Sequence, residues 1–461
     1  MGRSDDFHFL HMGLPEDVLR RKYHGDFAGA AAAIDRHLSR PDTPEAMRRS
    51  LTVQREILQR LPLDYPLTRA AALALARERI PDFSEEEFDA LENDCRIDWI
   101  YVNGEKRYFD RFFDSLCKTD AAIAARAGVR PAGADGHDES GLLERTLQQM
   151  RRQGSVSARL RCRASVRLRP EMFRKGARVR AYLPLPCACD AQSQICIESV
   201  SPAPTHISPE NAPQRVVFWE EVMEEDHPFT VEFSYVRTAA YTDLSGPRPA
   251  PPDAPPDFDL NEQPPHILFT PYLRELARTL TADADSPLEK ARRIYDFITL
   301  HVRYSYVRAY FGLEAIPDAC ARNLTGDCGM MALLFITLCR CAGVPARWQS
   351  GWKAEPDFCG AHDWTQFYAA PYGWLYADPS YGIAAVRARN ETRRRFYFGN
   401  LDAYRMVANN AFQAPFTVPK QHWRADPYDN QVGEIETAER GLGYGEFERS
   451  KEVLLCEELP L

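Results

Sequence analysis

The sequence predicts a multidomain α+β protein with a helical N-terminal region, an immunoglobulin-like β-sandwich in the middle and a mixed α/β core after it. Three observations support this prediction. The chain has 461 residues, which is too many for one hydrophobic core. Its apolar residues follow a helical period in residues 1–128 and a period of two in residues 156–243. A segment with eight prolines, residues 244–266, predicts a stiff linker between the sandwich and the core.

The N-terminal region, residues 1–128, is predicted to be helical because capping residues precede several amphipathic segments. One such segment opens at Ser84, which is followed by three glutamates in the first turn. It continues to Asn103 and Gly104, a pair that is typical of tight turns. The polar and glycine-containing stretch 129–155 is predicted to be a linker.

The middle region, residues 156–243, contains five segments with the alternation of half-buried strands. The apolar face of the first segment consists of Leu160, Cys162, Ala164, Val166 and Leu168. Its opposite face carries Arg159, Arg161, Arg163, Arg167 and Arg169. This arginine face could bind an acidic partner or could simply be solvated. The acidic stretch 220–226 in the same region favours the second interpretation.

After the linker, residues 267–400 are predicted to form the core, and residues 401–461 a C-terminal extension of that core. A helix in the core opens with a capping box, in which Ser286 is the N-cap and Glu289 the third helical residue. An apolar helix and two strand-like segments follow. The alternation of helix and strand signals indicates an α/β arrangement.

Composition and charge exclude several classes of function. The net charge of −9 argues against nonspecific binding to nucleic acid or to an acidic membrane. We find neither an apolar window of about 18 residues nor a signal-peptide pattern, so no membrane contact is expected. Twelve cysteines scattered along a long chain are typical of reduced thiols in the cytoplasm. Paired metal-ligand spacings and calcium loops are not recognisable, so we expect no metal and no other cofactor.

One short stretch, residues 326–347, is an apolar helix that opens on a cysteine between two glycines. Asp327 is a good N-cap, which places Cys328 in the first turn, at the positive end of the helix dipole. Helix N-termini lower a cysteine pKa from ~8.5 toward ~4–7. Gly326 and Gly329 would leave space for a substrate carbonyl beside the sulfur. A single buried cysteine is usually only a core residue, so the assignment depends on a histidine and a carboxylate elsewhere.

A histidine and an aspartate follow on two predicted strands that a tight turn joins. With the hairpin centre near Ala370, His362 pairs with Asp378, and their even separation places both side chains on one face. A carboxylate beside a histidine fixes the imidazole tautomer and stabilises the imidazolium. Together with Cys328, these residues predict nucleophilic catalysis. A one-residue change in the strand register would break the arrangement.

Three stretches of this part of the chain follow one known pattern: GDCGMMALLFITLCRCAGVPARWQSGW, AHDWTQFY and GWLYADPSYG. In this pattern the sequence resembles the transglutaminase-like superfamily, whose papain-like core carries a Cys-His-Asp triad in the same chain order. The resemblance extends from Ser286 to Gly382. The β-sandwich region also looks like the domain that precedes this core in many bacterial members. Residues 1–128 match no family that we recognise.

The resemblance assigns a role to each site residue. It makes Cys328 the nucleophile, His362 the general base and later the acid, and Asp378 the group that orients the histidine. It implies acyl transfer at a carboxamide through a thioester intermediate. The oxyanion hole would use the Cys328 backbone N–H and one upstream side chain. Tyr304 and Tyr306 are candidates for that side chain, their spacing leaves the choice open, and packing is the more ordinary role for either.

Three functions are compatible with these residues. The first, which we favour, is hydrolysis of peptide or amide bonds in a peptide or protein substrate by a cysteine peptidase or amidase. The second is protein crosslinking by a transglutaminase, which differs only in that an amine reaches the thioester. The third is an inactive scaffold that binds a partner. The sequence leaves the substrate and the oligomeric state open.

Overall fold

The computed structural model describes residues 4–129, 141–246 and 259–460 of the chain. The first of these parts is mainly helical and closes around one apolar cluster. It begins with a 3₁₀ helix, Ser4–Met12. Its α-helices are α1 (Glu16–Tyr23), α2 (Phe27–Ser39), α3 (Glu45–Arg60), α4 (Arg69–Arg79), α5 (Glu85–Asn93), α6 (Phe112–Thr119) and α7 (Ala121–Arg126).

A short hairpin interrupts these helices. Strands β1 (Trp99–Val102) and β2 (Glu105–Tyr108) pair in antiparallel register. Asn103 and Gly104 between them have φ angles of 50° and 88°, the left-handed conformation that a two-residue hairpin turn requires. The turn signal in the sequence is therefore the turn of a hairpin.

A helix occupies much of the segment 129–155, which we predicted to be a linker. This helix, α8 (Leu142–Gln153), buries Leu143, Leu147 and Met150 against the sandwich. The linker prediction was wrong over this helix, because we gave the glycines and polar residues more weight than the helical spacing of the apolar ones. Residues 130–140 of the predicted linker lie outside the described part of the chain.

The sandwich consists of two four-stranded antiparallel sheets that share one apolar core. Its strands in chain order are β3 (Ser155–Leu168), β4 (Arg178–Pro184), β5 (Gln192–Ser201), β6 (His206–Ile207), β7 (Val216–Val222), β8 (Phe229–Ala240), and the C-terminal β16 (Glu434–Thr437) and β17 (Phe447–Leu459). The strand orders are β17-β3-β8-β5 and β16-β4-β7-β6. Each C-terminal strand therefore forms the edge of one sheet.

This arrangement corrects the predicted role of residues 401–461. We expected them to extend the core, and strand β15 (Arg405–Asn409) does join the core sheet. However, β17 pairs with β3 along almost its whole length, and β16 pairs with β4. The prediction was wrong because strand pairing between segments more than 250 residues apart leaves no local signal in the sequence.

Three arginines of the β3 face form ion pairs within the sandwich. Arg161 and Arg163 both form ion pairs with Glu232 of β8. Arg167 forms an ion pair with Asp226. These contacts favour the solvated interpretation of that face over an acidic partner.

The core contains one five-stranded antiparallel sheet with the order β14-β13-β12-β11-β15. Its helices are α9 (Pro271–Leu280), α10 (Pro287–His301), α11 (Ile316–Asn323), α12 (Cys328–Cys341), α13 (Pro379–Arg387) and α14 (Glu391–Phe396). Its remaining strands are β9 (Arg303–Tyr304), β10 (Thr325–Gly326), β11 (Ala346–Glu355), β12 (Phe358–Ala369), β13 (Gly373–Ala377) and β14 (Phe398–Gly399). Among the described helices of the whole chain, none is both long and apolar enough to cross a membrane. Residues 247–258 of the predicted proline linker lie outside the described part.

The sandwich and the core sheet are in direct contact. Trp352 of β11 packs on Phe233 of β8, with 5.5 Å between the ring centroids. Both rings belong to the apolar cluster that also fills the sandwich. The far end of the β11–β12 hairpin therefore extends from the core onto the sandwich.

The register of β12 and β13 differs from the predicted one. Thr365 lies opposite Ala377 and Ala369 opposite Gly373, so the hairpin is centred one residue later than we predicted. Each residue of β12 consequently has a partner two positions further along β13. A shift of two positions keeps every side chain on its predicted face. The face assignments of His362 and Asp378 survive this error in the register.

Candidate active site

Cys328 is the first residue of α12, as the sequence predicted. The Asp327 side chain caps the helix by accepting a hydrogen bond from the Met330 N–H at 3.0 Å. The Cys328 side chain is partly exposed, whereas the next twelve residues of the helix are buried. The thiol is therefore held at the accessible end of a helix that the surrounding core fixes in place.

His362 and Asp378 are in contact. His362 Nε2 lies 2.8 Å from Asp378 Oδ2, and the two side chains are 2% and 0% exposed. Since a carboxylate only accepts, Nε2 is the nitrogen that carries the proton in this pair. The other ring nitrogen, Nδ1, is the one left to act as a base. Trp364 stacks beside the imidazole, with 6.1 Å between the ring centroids.

Asp378 is held by two further contacts. It follows the end of β13, and its Oδ1 accepts a hydrogen bond from the Tyr381 N–H, which caps α13. Arg405 Nη1 lies 3.3 Å from Asp378 Oδ2, and the same guanidinium pairs with Asp402 at 2.9 Å. A fully buried cation therefore lies beside Asp378. The His362 partner is therefore a fixed carboxylate.

The hydrogen bond that the structure gives the Cys328 thiol runs to Asp363, the residue after His362. The distance from Cys328 Sγ to Asp363 Oδ2 is 3.2 Å. Neighbouring residues of a strand point to opposite faces. From opposite sides of β12, the imidazole of His362 therefore reaches Asp378 and the carboxyl of Asp363 reaches the thiol.

Asp363 is buried among other acids. Its Oδ1 accepts a hydrogen bond from Gln431 Nε2, and the same amide nitrogen donates to Asp429 at 2.9 Å. Burial, together with the negative charges of Asp429 and Asp327, holds the pKa of Asp363 well above its usual range. Asp363 is therefore protonated at pH values where an exposed aspartate is ionised. The described part of the chain contains no group of three or more His, Cys, Asp or Glu side chains suited to a metal ion.

The space beside the two glycines that flank the cysteine is occupied by neighbouring side chains of the protein. A Cβ at Gly329 would lie 2.2 Å from the Tyr310 hydroxyl and 2.9 Å from Asp363 Oδ2. A Cβ at Gly326 would lie 2.9 Å from the Met330 Cβ. We expected these glycines to leave space for a substrate. In the structure their lack of a side chain lets neighbouring side chains pack close to the helix terminus.

The tyrosine beside the nucleophile is Tyr310, which the sequence analysis did not single out. Its hydroxyl donates a hydrogen bond to Asp327. Tyr304 is buried in the short β9–β10 pairing. The Tyr306 ring is covered by the Arg111 guanidinium, 3.4 Å from the ring centroid. The contacts of Tyr306 are those of a packing residue.

Sequence reasoning missed four residues around the predicted site: Asp363, Arg405, Gln431 and Tyr310. Asp363 carried a signal, since it is a carboxylate next to the predicted base. Strand alternation argued against it, because it pointed away from His362. Arg405 and Gln431 come from the region after residue 400 and had no recognisable spacing to the motifs.

Comparison with known families and structures gives one family match. The model of the transglutaminase-like superfamily core matches residues 274–379. This range begins in α9 and ends at the first residue of α13, so it includes the cysteine, the histidine and both aspartates. The curated proteins contain no sequence that matches this chain.

Several solved structures are similar in part. A candidate cysteine protease of Cytophaga hutchinsonii is 15% identical with a TM-score of 0.44, over 67% of this chain and 92% of that one. The periplasmic domain of TgpA from Pseudomonas aeruginosa is 13% identical with a TM-score of 0.28, over 54% of this chain and 95% of that one. A candidate protease of Parabacteroides distasonis is 14% identical with a TM-score of 0.21, over 46% and 42% of the two chains.

Proposed function

We propose that this chain, which contains a transglutaminase-like domain at residues 274–379, is a cysteine-dependent enzyme that hydrolyses peptide or amide bonds. The observation that carries the proposal is the buried His362–Asp378 pair, 2.8 Å apart, on the strand that also contacts the Cys328 thiol. A thiol at a helix N-terminus and a histidine with an oriented proton are the two groups that acyl transfer at a carboxamide requires.

The proposed reaction begins when the thiol turns from Asp363 to Nδ1 of His362. His362 takes the thiol proton, and Cys328 Sγ attacks the carbonyl carbon of the substrate. The C–N bond then breaks, and the amine leaves with the proton that His362 returns. Water then attacks the thioester while His362 takes a proton from it. The C–S bond breaks, the acid product leaves, and His362 returns the proton to the Cys328 sulfur. The ionised Asp378 stabilises the imidazolium in both halves of the cycle.

Hydrolysis and crosslinking share all the steps up to the thioester. They differ in whether water or an amine reaches it, so the experiment must offer both acceptors. An inactive scaffold would form no thioester at all. The cysteine provides a test that separates an activated nucleophile from a structural thiol.

The first test is alkylation of the native protein by iodoacetamide between pH 5 and 8, measured by peptide mass spectrometry. We expect Cys328 to react at pH 6 at least tenfold faster than Cys95 and Cys196, the two exposed cysteines, which serve as internal controls. Burial raises the pKa of eight other thiols and suppresses their reaction: Cys117, Cys162, Cys187, Cys320, Cys339, Cys341, Cys359 and Cys456. A Cys328 that reacts no faster than Cys95 would contradict the proposal.

The second test is turnover. A library of N-acetylated peptide amides is incubated with the protein, with and without a primary amine. We expect release of ammonia or of a peptide amine that Cys328→Ala abolishes, while this variant unfolds within about 1–2 kcal/mol of the wild type. Accumulation of the aminolysis product in place of the acid would overturn hydrolysis in favour of crosslinking. Turnover that survives in Cys328→Ala would exclude the cysteine mechanism.

A further inference from the structure

A small cavity lies beside the candidate site, at the junction of the core and the sandwich. Its volume is about 250 Å³, and it is lined by Ala164, Trp352, Val432, Arg449, Ser450 and Lys451. Val432 follows Gln431, the residue whose side-chain amide donates to Asp363. Trp352 donates its indole N–H to the Gln431 carbonyl at 2.6 Å. Gln431 therefore contacts Asp363 through its side chain and Trp352, which lines the cavity, through its carbonyl.

Two cations of β17 line this cavity from positions that should be apolar. Arg449 lies opposite Val166 and Lys451 opposite Ala164 in the register with β3. Val166 and Ala164 belong to the buried face of that strand. Cross-strand partners share a face, so both cations point to the inner side of the sheet. At this place the inner side borders the cavity as well as the core.

Neither cation has a carboxylate partner within ion-pair distance in the described residues. Arg449 lies 4.3 Å from the centroid of the Tyr444 ring, and Lys451 lies 5.9 Å from that of Trp352. By contrast, Arg161, Arg163 and Arg167 on the outer face of the same sheet are all paired with carboxylates. Both cations of β17 therefore lack a carboxylate partner, and both line the cavity.

The surrounding protein shifts the pKa of both groups. It lowers the pKa of Lys451 to about 8 and lowers the pKa of Arg449 from its usual value. Lys451 faces Cys359 of β12, Arg449 on its own strand, and more distantly Asp363 and Asp429. Arg449 faces Tyr444, Arg169 and Glu434. Arg449 is exposed and Lys451 is half-buried. At pH 7 both groups carry their charges, and a cation without a counterion attracts an anion.

We infer that this cavity is a substrate subsite that binds a carboxylate close to the amide that is cleaved. Arg449 and Lys451 hold the carboxylate, and Val432 packs against the carbon atoms that connect it to the reacting group. The inference rests on the proposed function, because it places the carboxylate on the substrate of Cys328. The carboxylate could belong to an acidic side chain or to the C-terminus of the chain. Both sources would present the same group, a carboxylate, to the two cations.

A binding experiment tests the subsite without turnover. Three probes are titrated into Cys328→Ala by calorimetry: N-acetylglutamic acid α-amide, N-acetylglutamine and N-acetylglutamine α-amide. The first carries only a side-chain carboxylate, the second only a terminal carboxylate and the third none. We expect one of the first two to bind at least tenfold more tightly than the third. The stronger of the two identifies the source of the carboxylate.

Variants assign the preference to the two cations. We expect Lys451→Gln/Arg449→Gln, made in the same background, to reduce the tenfold preference to about one. The matched control is Lys175→Gln/Arg159→Gln, which removes two positive charges from exposed positions of the sandwich. The control should keep the preference. If all three probes bind alike, or if the double cavity variant keeps the preference, the inference is wrong and the cations only protect the edge of the sheet.

A kinetic experiment separates this inference from the proposed function. Peptides that the wild type cleaves are compared as charge pairs, Glu against Gln next to the scissile amide and terminal acid against terminal amide. We expect the Lys451→Gln/Arg449→Gln variant to raise KM for the acidic member about tenfold and to change kcat less than twofold. Cleavage that depends on Cys328 but is indifferent to charge would overturn the subsite and leave the proposed function intact. Carboxylate binding without any Cys328-dependent cleavage would overturn the proposed function and reduce the subsite to a carboxylate-binding cavity.

Discussion

The carboxyl group of Asp363 faces the Cys328 thiol, and its protonation state decides which of the two groups donates the hydrogen bond between them. A protonated carboxyl can donate to a thiolate, whereas an ionised one can only accept from a thiol. The charged neighbours of Asp363 are Asp327 at the start of α12, Asp429 and Asp426 in the loop before β16, and the more distant Lys451. Acids dominate this set, which favours the protonated form.

This contact predicts the effect of Asp363→Asn on the reactivity of the cysteine. As pH rises through the raised pKa, Asp363 becomes an anion and disfavours a thiolate beside it. The asparagine keeps a donor and has no charge. We expect the midpoint of Cys328 alkylation against pH to move to lower pH by about one unit in the variant. Asp429→Asn, which removes a carboxylate that does not touch the thiol, should move it less. An unchanged or higher midpoint in Asp363→Asn would contradict the proposed contact.

The raised pKa of Asp363 also affects stability, and the sign follows from linkage. The folded state binds the proton more tightly than the unfolded state, so this group stabilises the fold most below about pH 4. That contribution is lost as pH rises through the folded-state pKa. We therefore expect the Tm of Asp363→Asn minus that of the wild type to increase between pH 4 and pH 8. Thermal unfolding followed by circular dichroism measures both Tm values. A Tm difference that decreases with pH would contradict the raised pKa of Asp363.

The third prediction at this scale concerns Asp378, which contacts both His362 and Arg405. In Asp378→Asn the histidine loses the partner that fixes its tautomer, so kcat should fall about a hundredfold or more while KM changes little. The buried Arg405 also loses one counterion, so stability should fall by roughly 1–3 kcal/mol. Asp402→Asn is the matched control, since it removes the other counterion of Arg405 without touching His362. A similar loss of kcat in both variants would mean that Asp378 acts only through the fold.

At the scale of elements, the site depends on how the N-terminus of α12 packs on β12. The part of the site that the sequence predicted depends on local signals. These are the Asp327 cap and the even separation of the two site residues on the hairpin. The predicted faces of the hairpin residues were correct because the register error was two residues, and a shift of two leaves each side chain on the same face of the sheet. The contact with Asp363 was not predictable in the same way, because it depends on how closely the helix end approaches the sheet. That distance is set by packing and has no periodicity in the sequence.

Gly329 offers a test of that close approach. A Cβ there would overlap the Tyr310 hydroxyl and crowd Asp363 Oδ2. We expect Gly329→Ala to displace the helix end, to lower turnover at least tenfold and to destabilise the protein by roughly 1–3 kcal/mol. Adding Tyr310→Phe removes the hydroxyl and should restore part of both losses, measured by activity and urea unfolding. If the single variant behaves as the wild type, the contact between helix and strand is looser than the structure indicates.

At the scale of the whole molecule, the C-terminal region ties the sandwich to the core. The chain leaves the sandwich after β8, forms the core, and returns to complete both sandwich sheets with β16 and β17. The sequence predicted a sandwich between residues 156 and 243, which contains six of its eight strands. It could not predict the returning strands, because pairing of distant segments has no local signature. The same return brings Arg449 and Lys451 to the junction beside the site.

This topology predicts that the protein holds together when the chain is cut between the sandwich and the core. A protease site inserted between residues 247 and 258, in the segment that we predicted to be a linker, divides the chain into two fragments. The second fragment supplies β17 to β3 and β16 to β4. We expect the fragments to co-elute in gel filtration and to separate only in the urea range where the uncut protein unfolds. The matched control carries the same cut and lacks residues 447–461, which removes β17, and its fragments should separate at lower urea. Fragments that separate in buffer would show that the sandwich does not depend on its C-terminal strands, which contradicts the register of the two sheets.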